Sequence, residues 1–358
     1  NQFGTITDLS VNNNGDVYIV DASNNRIILW KRFADVGVEI ISLEGTPRGI
    51  FVDDEKNIYL SMADYYVKKF TFSNNTYDEG LIVAGGNGQG SALNQLDNAY
   101  DIFVDSSQNI YIEDHNNHRI VKWPLNATEG LIVAGGNGQG SALNQLNGGG
   151  GFDLDSSGNI YISDWENKRV VKWEPGANEG IVVLELTGNN RSIDIDIDIY
   201  GNIFLVHYYH HYVSKFSFLN GEYISSSNVL GVCEPGTVCQ DSGGNSQSQL
   251  YFPRSVFVDN KNNVFVADQG NYRIQKLHLA PEITIAAGST TGTVTFTGIE
   301  DDLNDEDDET IIITPSESIN TTNTFTDSKT VTLLNNSITV TRKDDPFIGL
   351  SKGSVSWG

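Results

Sequence analysis

Short runs in which apolar and polar residues alternate recur along the first four-fifths of the chain, and nothing shows the three-to-four-residue spacing of an amphipathic helix. Between residues 101 and 134 four runs follow one another: Asp101-Ile-Phe-Val-Asp105, Ile110-Tyr-Ile-Glu113, Arg119-Ile-Val-Lys-Trp123 and Gly130-Leu-Ile-Val-Ala134. Asn, Gly and Ser, the residues that supply turns, stand between them. The pattern predicts four short antiparallel strands in succession.

The unit repeats. Its centre, Gly15-Asp-Val-Tyr-Ile-Val-Asp21 through Arg26-Ile-Ile-Leu-Trp30, returns at Asn109–Trp123, Gly158–Trp173 and Asn263–Leu277, with two looser copies around Asn57 and Asn202. The seventeen residues from Gly80 to Leu96 recur unchanged from Gly130 to Leu146. Four-stranded units at periods of about 40–60 residues are the mark of a β-propeller, in which each blade buries its faces only against its neighbours. The expected fold is all-β: a six-bladed β-propeller over 1–288, a short C-terminal β-sandwich-like extension over 289–345, and the start of a further module at 346–358.

The repeated strand, Asp, Asn-x-Arg and aromatic or Leu positions resemble the NHL repeat, a family of six-bladed propellers. The match is full in units one, three, four and six. Unit two shortens its turn to Asp64-Tyr-Tyr-Val67, and unit five has His207 at the Asp position and Tyr212 at the Arg position. The segment after 289, with Gly292-Thr-Val-Thr-Phe-Thr297 and Thr310-Ile-Ile-Ile-Thr314, resembles the second half of a Calx-beta domain. Gly349-Leu-Ser-Lys-Gly-Ser-Val-Ser-Trp-Gly358 resembles the opening of an FG-GAP-type repeat.

Composition narrows the function classes. With 39% hydrophobic and 10% aromatic residues the chain has enough apolar surface for a packed core. Against 46 acidic residues stand 22 basic ones, a net charge of −24, and no stretch gathers Lys and Arg. Such a surface repels phosphate backbones and anionic lipid, so neither nucleic acid nor membrane insertion is expected. No apolar run reaches the 18 residues of a membrane span. Eight carboxylates fall within residues 300–309.

Those carboxylates are the one concentrated set of hard oxygen donors. Asp301, Asp302, Asp305, Asp307, Asp308 and Glu309 are candidate calcium ligands, set against a solvated acidic hairpin that guards a sheet edge. No cofactor is otherwise required. Cys233 and Cys239, in a Gly- and Pro-containing stretch, fit a loop disulfide of an oxidising compartment, with two unpaired thiols as the other reading. The recurring pairs Asp21/Arg26, Asp114/Arg119, Asp164/Arg169 and Asp268/Arg273 read as structural ties, because a constraint repeated in four blades serves the repeated fold.

Candidate binding residues are Asn87, Gln89, Asn137 and Gln139 of the duplicated loops, together with Tyr65, Tyr66, His207, Tyr208 and His210 of the irregular units. Alternation is expected to send His210 and His211 to opposite faces of a continued strand. No Gly-x-Ser-x-Gly elbow, His-Glu-x-x-His or phosphate-cradling Gly-x-x-x-x-Gly-Lys is present. The leading expectation is a non-catalytic binding or adhesion module for protein or glycan, tethered within a longer secreted or cell-surface chain. The alternative is a metal-dependent propeller enzyme of lyase or hydrolase type, with its site at the central channel.

Overall fold

A computed structural model of the chain describes residues 3–188, 190–219, 221–231 and 249–279, and the strand segments of the C-terminal part. The chain divides into two compact units, Asn1–Leu279 and Ala280–Gly358. The acidic run 301–308, the side chain of Glu309, and Cys233 and Cys239 lie outside the described residues.

The first unit is the propeller. Blade 1 runs Ile6–Val11, Val17–Asp21, Arg26–Trp30 and Val38–Ser42, hydrogen-bonded in that order. Blades 3, 4 and 5 repeat the plan from Ala99–Val104, Gly149–Leu154 and Asp194–Ile197. Blade 2 starts at Pro47–Val52 and inserts a small hairpin, Phe72–Ser73 with Thr76–Tyr77, before its outer strand Leu81–Gly85. Blade 6 has three strands among the described residues, beginning with Pro253–Val258.

Local chemistry explains the regularity. Between the first two strands of five blades stands an Asp followed four residues later by Asn. Asp105 accepts from the backbone N–H of Ser107 (3.0 Å) and Asn109 (2.9 Å) and from the Asn109 amide (2.7 Å). This side-chain turn competes successfully with extended backbone and closes the hairpin. After the second strand comes a single 3₁₀ turn, as at His115–Asn117, capped by a left-handed residue, His118 in blade 3 (φ 52°).

In blade 5 the strand Ile203–His207 stops at that turn, Tyr208–His210, with His211 left-handed. The expected continued strand is therefore absent: a 3₁₀ turn, not alternation, orients these histidines.

Six apolar clusters hold the ring, one at each junction between neighbouring blades. At the last of them Phe265 and Ala267 of blade 6 pack on Ile6, Leu9, Val11, Ile19 and Ile28 of blade 1. Ring closure is thus a core interface like the other five.

The Asp/Arg pairs lie beneath the 3₁₀ turns. Arg26, Arg119, Arg169 and Arg273 each donate through Nε to the Asp five residues earlier, at 2.7–2.8 Å. The other carboxylate oxygen accepts a backbone N–H from the incoming linker, such as Asn147 to Asp164 at 2.8 Å. Arg119 also reaches the carbonyls of Ser91, Ala92 and Gln95. In blade 5, His207 stacks on Tyr212 (centroids 4.2 Å) and bonds Ser214 Oγ through Nε2 at 2.8 Å.

In the second unit Thr293–Phe296, Ile338–Arg342, Ser354–Trp357 and Gly349–Ser351 form one sheet in that order, and Glu309–Ile313 pairs with Lys329–Leu333.

Candidate functional site at the channel mouth

The innermost strands of all six blades enter the channel side by side, so residues at one strand position form a ring. The third position of the strand carries Asp8 and Asp101 in blades 1 and 3 and Gly49, Gly151 and Ser255 in blades 2, 4 and 6; in blade 5 the equivalent residue by register is Asp194, which opens its strand. Each Asp accepts the N–H of its own next residue and one from the following blade. Asp8 takes Leu9 and Ile50 (both 2.8 Å), Asp101 takes Ile102 and Phe152 (both 2.8 Å), and Asp194 takes Ile195 (2.9 Å) and Val256 (2.8 Å). Ser255 Oγ donates to Asp8 across the ring closure at 2.6 Å.

Two residues deeper, Asp153 and Asp196 clamp blades 4 to 5 and 5 to 6 in the same manner. Burial lifts the carboxyls of Asp8 and Asp153 to about 6. It pushes those of Asp101, Asp194 and Asp196 well above the usual carboxylate range, and the like charge of neighbouring carboxylates adds to the effect.

Above this ring lies a cavity of about 210 Å³, lined from all six blades. Its wall at the second strand position includes Arg48, Tyr100 and Arg254. Arg48 Nη1 and Arg254 Nη2 both donate to Tyr100 Oη at 2.9 Å, and their guanidinium carbons stand 4.6 and 5.3 Å from the ring centre. With two donors on its oxygen, the Tyr100 hydroxyl has only its proton left to give.

Beside Tyr100 sits His115, the rings 5.2 Å apart. His115 Nδ1 is 2.9 Å from Glu113 Oε1 and 3.0 Å from the Gly149 carbonyl. Both neighbours are acceptors, so Nδ1 carries the proton and Nε2 of the neutral ring is the basic nitrogen. Burial pulls the His115 pKa down, but the Glu113 hydrogen bond and charge outweigh it and the net shift is upward.

Glu113 is 2% exposed, at a position occupied elsewhere by Val20, Ser61, Ser163, Val206 and Ala267. It fits because Gly149 faces it: a Cβ there would fall on Glu113 Oε1. Of the residues equivalent to His115 in the other blades, Ala22, Ala63, Trp165, Tyr208 and Gln269, Trp165 also lines the cavity. Two buried donors of the wall, Arg48 Nε and Trp165 Nε1, have no hydrogen-bond partner among the described residues.

The residues singled out in the sequence lie elsewhere for the most part. Asn87 and Asn137 donate back into their own loops, to the carbonyls of Asn94 and Asn144 at 3.0 Å. Gln89 and Gln139 bond Asp97 and Asn147. Tyr65 and Tyr66 pack against the apolar clusters flanking blade 2. His207 is 1% exposed, and burial holds its pKa down to about 3. His210 is half-buried near Tyr212. Tyr208 alone of that set reaches the mouth, its ring 6.0 Å from the Arg254 guanidinium.

Sequence reading missed Glu113, His115, Tyr100, Arg48 and Arg254. The available signal was a column comparison of the repeats, in which Glu113-x-His115 and Gly148–Gly151 break the pattern. Among the described residues, no group of three or more His, Cys, Asp or Glu is arranged to hold a metal ion.

No family model matches the chain, and no curated protein matches it. Solved structures do. One is a structural genomics protein of unknown function from Bacteroides thetaiotaomicron, at 15% identity and a TM-score of 0.57, covering 77% of this chain and 69% of that one. A second is a gluconolactonase from Xanthomonas campestris, at 10% identity and a TM-score of 0.55, covering 75% and 84%. A third is a catalytically inactive histidine-to-alanine variant of virginiamycin B lyase from Staphylococcus aureus, with quinupristin, at 13% identity and a TM-score of 0.51, covering 78% and 82%. At such identities the likeness concerns the fold. The chain is an all-β protein with a six-bladed propeller.

Proposed function

We propose that the channel mouth is an acid–base catalytic site of lyase or hydrolase type acting on a small molecule. The observation that carries this reading is the Glu113–His115 hydrogen bond at the wall of a cavity to which every blade contributes. A buried carboxylate that fixes the tautomer and orientation of an imidazole is how a general base is built. His115 Nε2 takes a proton from the substrate or from an attacking water. Tyr100, its oxygen already doubly occupied, returns a proton to the departing oxygen. The folds of a gluconolactonase and a lyase support the reading by analogy only.

Its test is turnover. Gluconolactone, quinupristin and a set of simple lactones and esters serve as probes, with product read by mass spectrometry. Replacing His115 by Asn should cut turnover by about a hundredfold or more while leaving the melting curve intact. Unchanged turnover in that variant would contradict the assignment.

A second reading keeps the chain as a binding module for protein or glycan at an extracellular surface. It is supported by Leu93 and Leu143, which the two identical loops leave 38% and 40% exposed. A bound partner that protects both loops from hydrogen exchange, and is indifferent to His115, would favour it. The calcium, disulfide, Calx-beta and FG-GAP assignments also stand as proposals.

A further inference from the structure

Arg48 and Arg254 are out of keeping with the rest of the chain. In a protein with 46 acidic and 22 basic residues, neither makes an ion pair within 4 Å among the described residues. Instead both converge on one neutral oxygen, Tyr100 Oη, at 2.9 Å each. Two like charges drawn together repel, and the arrangement is unfavourable unless something anionic joins them.

The carboxylates beneath serve that purpose only in part. Asp8, Asp101 and Asp194 spend their oxygens on backbone amides of the inner strands, and burial disfavours their charge, although the Arg254 charge draws the Asp8 carboxyl part of the way back down. Glu113 is turned to His115. The same wall also carries Arg48 Nε and Trp165 Nε1, buried and without a partner. Buried donors left unmade are costly, so the cavity is short of acceptors.

From this juxtaposition we infer that the ligand of the channel mouth bears a carboxylate, held by Arg48 and Arg254 with Trp165 Nε1 as a further donor. A guanidinium is the planar, fixed-charge group suited to a carboxylate. The cavity, about 210 Å³, lies below the roughly 300–1,000 Å³ of pockets for drug-sized ligands, so the carboxylate belongs to a small organic acid. The inference rests on the proposed site and names its substrate class: the carboxylate binds beside the His115–Tyr100 pair, within reach of both.

The experiment reads binding rather than turnover, so the two proposals fail separately. Full-length ¹⁵N-labelled protein is titrated with benzoate, with lactate, and with benzamide as the neutral counterpart of benzoate. The indole N–H resonance of Trp165 is followed, assigned through Trp165→Phe. Benzoate or lactate should shift that resonance and benzamide should not. Arg48→Gln and Arg254→Gln should each weaken carboxylate binding roughly tenfold to a hundredfold. Arg→Lys at the same positions keeps the charge and the fold but loses the planar fork, and should fall in between. His115→Asn should still bind.

Equal binding of benzamide, or carboxylate binding unaltered in both Gln variants with native melting curves, would overturn the inference. So would the absence of any shift with either acid at millimolar concentration. None of these results touches the His115 turnover test.

Discussion

At the scale of single residues the site depends on a missing side chain. Glu113 can occupy a buried position that other blades fill with Val, Ser or Ala because Gly149 leaves room for its carboxylate and supplies a carbonyl to the same imidazole. An added methyl at Gly149 must displace Glu113, since the backbone carrying both is held in the sheet. Gly149→Ala should therefore lower the His115 pKa, by removing the carboxylate that raises it. It should also cost about 1–3 kcal/mol of stability from overpacking. A histidine NMR titration and a urea melt check the two halves; an unmoved His115 titration would show that Glu113 does not govern it.

At the scale of strands and turns the sequence was an open text. Asp-x-x-x-Asn marks the hairpins because the Asp side chain itself forms the turn, as at Asp105, and alternation marks the strands because one residue in two enters an inter-blade core. The blade 2 hairpin and the 3₁₀ turn at Tyr208–His210 were not foreseen. The hairpin arises where the repeat pattern is weak and a local contact, Phe72 on Tyr77, takes over; the Tyr208–His210 turn instead keeps the plan of blades 1, 3, 4 and 6, although its sequence departs from theirs. The histidines drew notice for their number, yet His207 is a neutral member of the blade 5 core. The functional candidate is His115, a turn histidine of a regular blade whose sequence context gave no support for a metal centre.

At the scale of the whole molecule, the site escapes sequence reading because closing the ring creates it. Ser255 meets Asp8 across 247 residues and Arg254 meets Tyr100 across 154. No local motif spans such distances, and each blade offers only a few residues to the cavity. The ring also determines how stability responds to pH. Asp8, Asp101, Asp153, Asp194 and Asp196 have folded pKa values above their unfolded ones, as does His115. Their contribution is complete below the unfolded values and is lost as pH rises through the folded ones, about 6 for Asp8 and Asp153.

His207, His118 and His210 work the other way, their contributions being lost as pH falls through about 6.5, for His207 down toward 3. Between about pH 8 and about pH 6 the first group prevails, so the melting temperature should rise on mild acidification, by about 2–4 °C per kcal/mol. High salt suppresses the change in overall self-repulsion that would act in the same direction. Calorimetry at high salt that found the protein more stable at pH 8 than at pH 6 would exclude this account of the channel carboxylates.

The central claim is that six blades present His115 as an oriented base, and its protonation can be seen directly. A long-range ¹H–¹⁵N spectrum of the histidine side chains, with His115 assigned through His115→Asn, reports which ring nitrogen holds the proton and where the ring titrates. The prediction is a neutral ring protonated at Nδ1, titrating above the usual 6.5, and losing that elevation in Glu113→Gln. A neutral ring protonated at Nε2, or a titration below 6.5 that Glu113→Gln leaves unmoved, would contradict it.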